Sequence, residues 1–107
     1  MSDILPVNDQ TFEQTLQRHG AVLVDFFSPT CAPCRLMEPG LKQLADSYAE
    51  RVAFVKVNVN ESPRTSSRFL IRSLPTLLFF RNGQVRTQLI GAVGAKQIER
   101  TLREVMA

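Results

Sequence analysis

The sequence predicts an α/β fold, a central mixed five-stranded sheet flanked by four helices. Three observations predict it. Apolar runs rich in β-branched and aromatic residues alternate along the chain with stretches whose apolar residues recur at helical spacing. Two of those runs are nearly uninterrupted, as expected of strands covered on both faces. The last two strand-like runs are joined by Asn82-Gly83, a dipeptide suited to a two-residue hairpin turn. The order is therefore β-α-β-α-β-α-β-β-α. Strand–helix–strand repeats imply parallel pairing with right-handed crossovers, and the hairpin adds antiparallel edge strands. With 107 residues, 44% of them hydrophobic, the chain suits one domain over residues 1–107 with one core.

Each element has its own warrant. Ile4 to Val7 is a short strand candidate. Asn8 or Asp9 then caps an amphipathic helix with Phe12 and Leu16 one turn apart, and His19-Gly20 ends it. Ala21-Val22-Leu23-Val24-Asp25-Phe26-Phe27 reads as a central strand. A helix follows in which Leu36, Met37, Leu41, Leu44, Ala45 and Tyr48 recur at helical spacing. Pro39 lies inside it, where it removes one backbone hydrogen bond and is expected to kink the helix, and Gly40 weakens the same place. Val52 to Val59 is the next inner strand. Ser62-Pro63 opens a short helix to about Leu70, with proline in its first turn. Thr76 to Phe80 and Val85 to Ile90 flank the hairpin turn. Ala95 to Met106 closes the chain, with Ile98, Leu102 and Val105 on one stripe.

Composition narrows the function. The net charge is +3 and the pI near 9.3, but the arginines are scattered and nearly all aromatics are phenylalanines inside apolar runs. Nucleic-acid binding asks for clustered positive charge with exposed stacking rings, so the charge reads as a solvated surface. No apolar stretch is long enough to span a bilayer as a helix. The first residues show neither a basic nor an apolar signal region, which points to the cytoplasm.

The chemistry centres on Cys31 and Cys34, the only two cysteines, in Ser28-Pro29-Thr30-Cys31-Ala32-Pro33-Cys34-Arg35. They stand where an apolar strand gives way to a helical pattern. A thiol on the first turn of a helix meets the positive end of the backbone dipole, and a second thiol one turn on is within bonding reach. Three readings compete: a redox pair, a structural disulfide and half of a zinc site. A four-residue loop yields only about 1.9 kcal/mol of chain-entropy stabilisation, which makes a poor staple. Zinc asks for two further ligands, and His19 alone does not supply them. Redox chemistry fits best. Asp25 and Lys56 are each a lone charge inside an apolar strand, and burial is expected to raise the Asp25 pKa. His19 reads as a helix-end surface residue, and Met37 as core.

Taken together, these residues resemble the thioredoxin family across essentially the whole length. The resemblance is carried by Val24-Asp25-Phe26, Cys31-Ala32-Pro33-Cys34, Pro39, Leu74-Pro75-Thr76, Asn82-Gly83 and Gly91-Ala92. A lone Cys-x-x-Cys is a weak signal. One that follows an inner strand, opens a helix and is joined by a proline before the penultimate strand is strong. The family fold, a mixed sheet with flanking helices, agrees with the pattern read above. Two departures stand out. Thr30 replaces the tryptophan usual before the first cysteine, and Ala32 the glycine after it; Phe27 fills another position where the family often has tryptophan. They bear on recognition by the usual reductase and substrates, while the redox chemistry survives them.

The resemblance implies a role for each matched position. Cys31 attacks a substrate disulfide as the thiolate, and Cys34, one turn inside, resolves the mixed disulfide. Asp25 lies under Cys34 and assists its proton transfer, with Lys56 near that carboxylate. Pro33 restricts the loop between the thiols, and Arg35 adds positive potential or is simply solvated. The Leu74-Pro75 bond is cis and faces the cysteines. Leu74, Pro75, Gly91 and Ala92 form an apolar platform that, with Thr30, Ala32 and Pro33, docks an extended substrate. The implied function is a cytoplasmic, monomeric protein-disulfide reductase. It carries electrons on its own cysteines with no bound cofactor or metal, receives them indirectly from NADPH through thioredoxin reductase, and passes them to oxidised protein substrates. An oxidase or isomerase of an exported compartment, a specialised redox partner not served by that reductase, and a binding or assembly module with silent cysteines are the alternatives.

Overall fold

Ala21–Phe27 (β2) occupies the middle of the sheet, as its nearly uninterrupted apolar sequence requires. The structure, a computed structural model, describes residues 4–107. The other strands are Leu5–Val7 (β1), Ala53–Asn58 (β3), Thr76–Arg81 (β4) and Gln84–Ile90 (β5), and the order across the five-stranded sheet is β1-β3-β2-β4-β5. β1, β3 and β2 run parallel, β4 is antiparallel to β2, and β5 is antiparallel to β4. The helices are Phe12–Arg18 (α1), Ala32–Ser47 (α2), Pro63–Arg68 (α3) and Ala95–Met106 (α4).

The expected mixed sheet with four helices is therefore the observed one, with one refinement. Only β5 of the hairpin is an edge strand. β4 lies between β2 and β5 and is buried along almost all its length, which its Thr76-Leu77-Leu78-Phe79-Phe80 sequence explains. The hairpin turn places both Asn82 (φ 51°) and Gly83 (φ 81°) in the left-handed region, the backbone for which this dipeptide is suited.

Alternation along the strands divides the core in two. Leu23, Phe54, Leu77 and Phe79 pack on one face under α2 and α4, against Met37, Leu41, Leu44, Ile98 and Leu102. Val22, Val24, Phe26, Val55, Val57, Leu78 and Phe80 pack on the other, against Phe12 and Leu16 of α1 and the Phe69–Ile71 segment after α3. Each fully buried side chain of this kind contributes about 1.5–3 kcal/mol of transfer free energy.

Several local expectations are corrected. Leu36 is not part of the buried stripe of α2: it is 80% exposed. That stripe runs Cys34, Met37, Leu41, Leu44, Ala45, and Leu36 is turned about 100° off it. Helix α2 runs on through Pro39, as expected of a proline inside it. Gly40 beside it has a packing reason, since a Cβ there would lie 3.3 Å from the Cβ of Ala95, where α4 begins. Neither Asn8 nor Asp9 is the N-cap of α1, a place taken by Thr11. The Asn8 carboxamide instead accepts from the amides of Gln10 (2.9 Å) and Thr11 (3.1 Å), forming the turn that leads into the helix. Asp9 crosses to α3, accepting from the amides of Arg64 (3.1 Å) and Thr65 (2.8 Å) and from the Thr65 hydroxyl (2.7 Å). It thus satisfies the helix start that Ser62 was expected to open; the Ser62 hydroxyl makes no capping bond. His19 lies at the C-cap of α1, as expected of a helix-end residue.

Candidate active site

Cys31 and Cys34 lie where β2 hands the chain to α2. They are joined as a disulfide with their Cα atoms 5.3 Å apart, so the two sulfurs are bonded to each other, as a redox pair in its oxidised form. Cys31 is the N-cap of α2, and its sulfur accepts a hydrogen bond from the Cys34 amide at 3.2 Å. The first amides of a helix have no intrahelical partner, so a sulfur placed here faces a donor and the positive end of the dipole. Pro33 stands in the first turn, where its missing N–H costs nothing. The accessibilities differ: Cys34 is buried, whereas Cys31 is partly exposed and flanked by exposed Thr30, Ala32 and Pro33.

The loop before the disulfide is tied down. The Arg35 guanidinium donates to the carbonyl oxygen of Pro29 at 2.8 Å, which gives this arginine a fixed place at the helix start. The Cys31 amide donates to the Ser28 carbonyl (3.2 Å), and the hydroxyls of Ser28 and Thr30 stand 3.4 Å apart.

Sheet topology gathers the remaining residues at the same end. Antiparallel pairing sets Thr76 opposite Phe26, so the chain enters β4 beside the end of β2 from which the cysteines start. Leu74-Pro75 is cis and Pro75 is fully buried. Ile90 pairs with Thr76, and the Gly91 amide donates to the Pro75 carbonyl at 2.8 Å, which brings Gly91-Ala92 alongside the proline. Gly91 has φ +90°, a backbone that favours glycine. Pro75 is buried and Leu74 partly so, which leaves Ala92 and Ile90 as the exposed apolar surface here.

Below the disulfide, Asp25, Cys34 and Lys56 line one cleft of about 520 Å³. Asp25 and Lys56 are direct neighbours across the β2–β3 ladder. Asp25 is only 6% exposed, and its Oδ1 has no hydrogen-bond partner among the described residues. Its pKa is pushed up to about 7, first by burial and next by the negative charge of Glu38, against which Lys56 pulls it down. Lys56 is half-buried with its Nζ 5.7 Å from the centre of the Phe27 ring. Sequence reading did not single out Glu38. The one available signal is its spacing, four residues after Cys34 and so on the same side of the helix.

A thioredoxin family model matches residues 3–104. The chain belongs to the thioredoxin family. It is 41% identical over 102 residues to a thioredoxin of Alicyclobacillus acidocaldarius, an alignment covering 95% of this chain and 97% of that one. It is 40% identical over 105 residues to thioredoxin 1 of Nostoc, covering 97% and 98%. It also superimposes with a TM-score of 0.86 on a chain from a structure concerned with thiol resolution in yeast mitochondrial 1-Cys peroxiredoxin through glutathione/thioredoxin systems. That chain is 27% identical, with 95% of each covered. Thioredoxins are thiol-disulfide oxidoreductases that carry electrons on the cysteine pair without a bound cofactor, and this chain is a thiol-disulfide reductase of that family. Its redox-active pair is the Cys31–Cys34 disulfide. A purely structural use of the fold with silent cysteines is not favoured. Disulfide substrates and a thioredoxin reductase are the partners the family implies. No helix among the described residues is long and apolar enough to cross a membrane.

Proposed function

We propose that Cys31 is the nucleophile of the reductase and Cys34 its resolving thiol. The observation that carries this assignment is the asymmetry of the pair, with one sulfur partly exposed at a helix N-terminus and the other buried one turn inside. The Cys31 thiolate attacks one sulfur of a substrate disulfide, forming a mixed disulfide and releasing the other substrate sulfur as a thiolate, which takes a proton from solvent. Cys34 then loses its proton to the Asp25 carboxylate and attacks the Cys31 sulfur. The Cys31–Cys34 bond forms, the mixed disulfide breaks, and the substrate's second sulfur leaves as a thiolate that takes a proton from solvent. A base with a pKa of about 7 is well matched to a thiol at neutral pH. Lys56, facing Asp25 across the ladder, stabilises the carboxylate form that accepts the proton.

Thr30, Ala32 and Pro33 on one side, and Leu74, Pro75, Gly91 and Ala92 on the other, frame the surface on which an extended substrate lies. The Gly91–Pro75 hydrogen bond fixes the two halves of the second segment relative to each other. The protein works as a monomeric single domain, residues 1–107, in the cytoplasm. It is recharged by an NADPH-dependent thioredoxin reductase and passes electrons to oxidised proteins.

The test is NADPH-driven reduction of a model protein disulfide in the presence of a thioredoxin reductase. Cys31→Ser is expected to abolish turnover, and Cys34→Ser to trap a mixed disulfide on Cys31 that denaturing electrophoresis detects. Trapping on Cys34 in the Cys31→Ser protein would reverse the assignment.

A further inference from the structure

We propose that Glu38 is a positioning residue for the resolving step, a second carboxylate in the Asp25 cleft that keeps the proton-accepting carboxyl matched to the Cys34 thiol. This rests on the reading of Asp25 as the base of that step. Glu38 stands four residues after Cys34 on α2, so both project from the same side of the helix, and both line the cleft that holds Asp25.

What makes a remote charge effective here is the isolation of Asp25. Its buried Oδ1 accepts no hydrogen bond from the described residues, so among them through-space charges rather than local donors decide which form it takes. The charged groups lining the cleft are few. Helix α2 supplies Arg35, Glu38 and Lys42, and β3 supplies Lys56. The β1 segment from Ile4 to Pro6 brings none, and the β4 partner of Asp25 is Leu77. Among the described lining residues, Glu38 is thus the one carboxylate beside Asp25. Lys42 holds it with an ion pair of 3.1 Å, one further turn along α2.

The chemical consequence has a definite sign. A negative neighbour makes Asp25 a stronger base, so transfer of the Cys34 proton to it is less uphill. Lys56 acts in the opposite sense, and Lys42 moderates Glu38. With the Arg35 guanidinium held at the Pro29 carbonyl, two lysines and a glutamate tune one buried base: removing the Glu38 charge weakens it, and removing the Lys42 charge leaves Glu38 unopposed and strengthens it.

The experiment follows the Asp25 carboxyl by carbon NMR in the full chain, oxidised and labelled at aspartate, alongside the pH profile of single-turnover thiol release from a mixed disulfide on Cys31. Glu38→Gln is expected to move both midpoints to lower pH and to lower the plateau rate of release. Glu38→Asp restores part of both shifts, and Lys42→Met moves the midpoints to higher pH. An Asp25 titration unmoved in Glu38→Gln overturns the proposal, as does a moved titration with an unmoved rate profile. If Asp25→Asn releases thiol at the parent rate, the base reading falls and takes the positioning role with it. A slow Asp25→Asn with an unmoved titration in Glu38→Gln removes Glu38 alone.

Discussion

The two faces of β2 are built from one strand and do opposite things. Val22, Val24 and Phe26 point into a layer closed by phenyl rings, in which Phe12, Phe69 and Phe80 stack edge-on or tilted with centroids 5.5–5.9 Å apart. Leu23 and Asp25 point to the other side, where the core under α2 and α4 gives way, at the strand's end, to a cleft holding a buried carboxyl, its Oδ1 without a hydrogen bond among the described residues, and the inner cysteine. The first face is closed by apolar side chains, which gain dispersion and exclude water. The second tolerates one costly polar group because that cost is the means of tuning a base. Stability and chemistry are thus separated by the alternation of a single strand.

The most severe way to break the comparison is to open the sealed face. Phe80 is 2% exposed and contacts two other rings, so Phe80→Ala leaves a cavity costing about 3–5 kcal/mol. Urea unfolding measures that loss. The disulfide lies on the far side of the sheet, so the folded fraction is expected to keep the parent's redox potential. A potential shifted along with stability would show that the two faces are coupled after all.

The next largest effect lies on the reactive face and depends on pH. The Asp25 carboxyl holds its proton more tightly folded than unfolded, its pKa standing at about 7 against the ordinary carboxylate range. Stability from this group is therefore complete in acid below that ordinary range. It falls as the pH rises toward about 7 and is level above it. The loss amounts to about 4 kcal/mol at most. Asp25→Asn cannot ionise, so its stability relative to the parent is expected to rise by that order between pH 4 and pH 8, seen in paired urea titrations. A constant difference across that range would mean that the folded carboxyl titrates as an ordinary one.

How much of this was legible in the sequence follows from what each signal depends on. β2 and α4 were read to the residue because apolar pattern and turn residues bound them locally. The cysteine pair was legible through its spacing, the proline before β4 only through the family resemblance, and Asp25 because a lone charge in an apolar run is conspicuous. Asp9 was misread because its capping partners, Arg64 and Thr65, are more than fifty residues away. Leu36 was misread because helical spacing alone does not say which flank of the stripe the core covers. Glu38 was invisible for a similar reason: a charge on a helix reads as solvated until the fold sets a buried carboxyl beside it.

A smaller effect tests how the helices over the reactive face are held. The Tyr48 hydroxyl donates to Glu99 Oε2 at 2.7 Å and accepts from Arg103 Nε at 3.2 Å, joining the end of α2 to α4. Tyr48 itself is buried, so Tyr48→Phe keeps the ring packing and removes only this bridge. The expected cost is about 1 kcal/mol, with no change in turnover. A slowed resolving step in that variant would mean that α2 needs the bridge to hold Cys34 and Glu38 in place.

The smallest effect is a gain, at the junction where the sealed face receives Phe69 and Ile71. Helix α3 ends at Arg68 rather than at Leu70, with the Leu70 amide donating to Ser67 (3.1 Å) and the Ile71 amide to Ser66 (3.0 Å). This pair of bonds is the Schellman ending, whose left-handed residue is usually glycine. Here it is Leu70, with φ 54° and its side chain 72% exposed. The missing glycine is why the helix end was not legible. A left-handed conformation costs a residue with a Cβ about 1–2 kcal/mol, and glycine returns part of that as greater freedom when unfolded. Leu70→Gly is therefore expected to stabilise the protein by about 0.5 kcal/mol in urea unfolding, since an exposed side chain gives up little packing. A loss of stability would instead show that the Leu70 side chain shields the phenyl cluster, making the sealed face larger than its buried residues suggest.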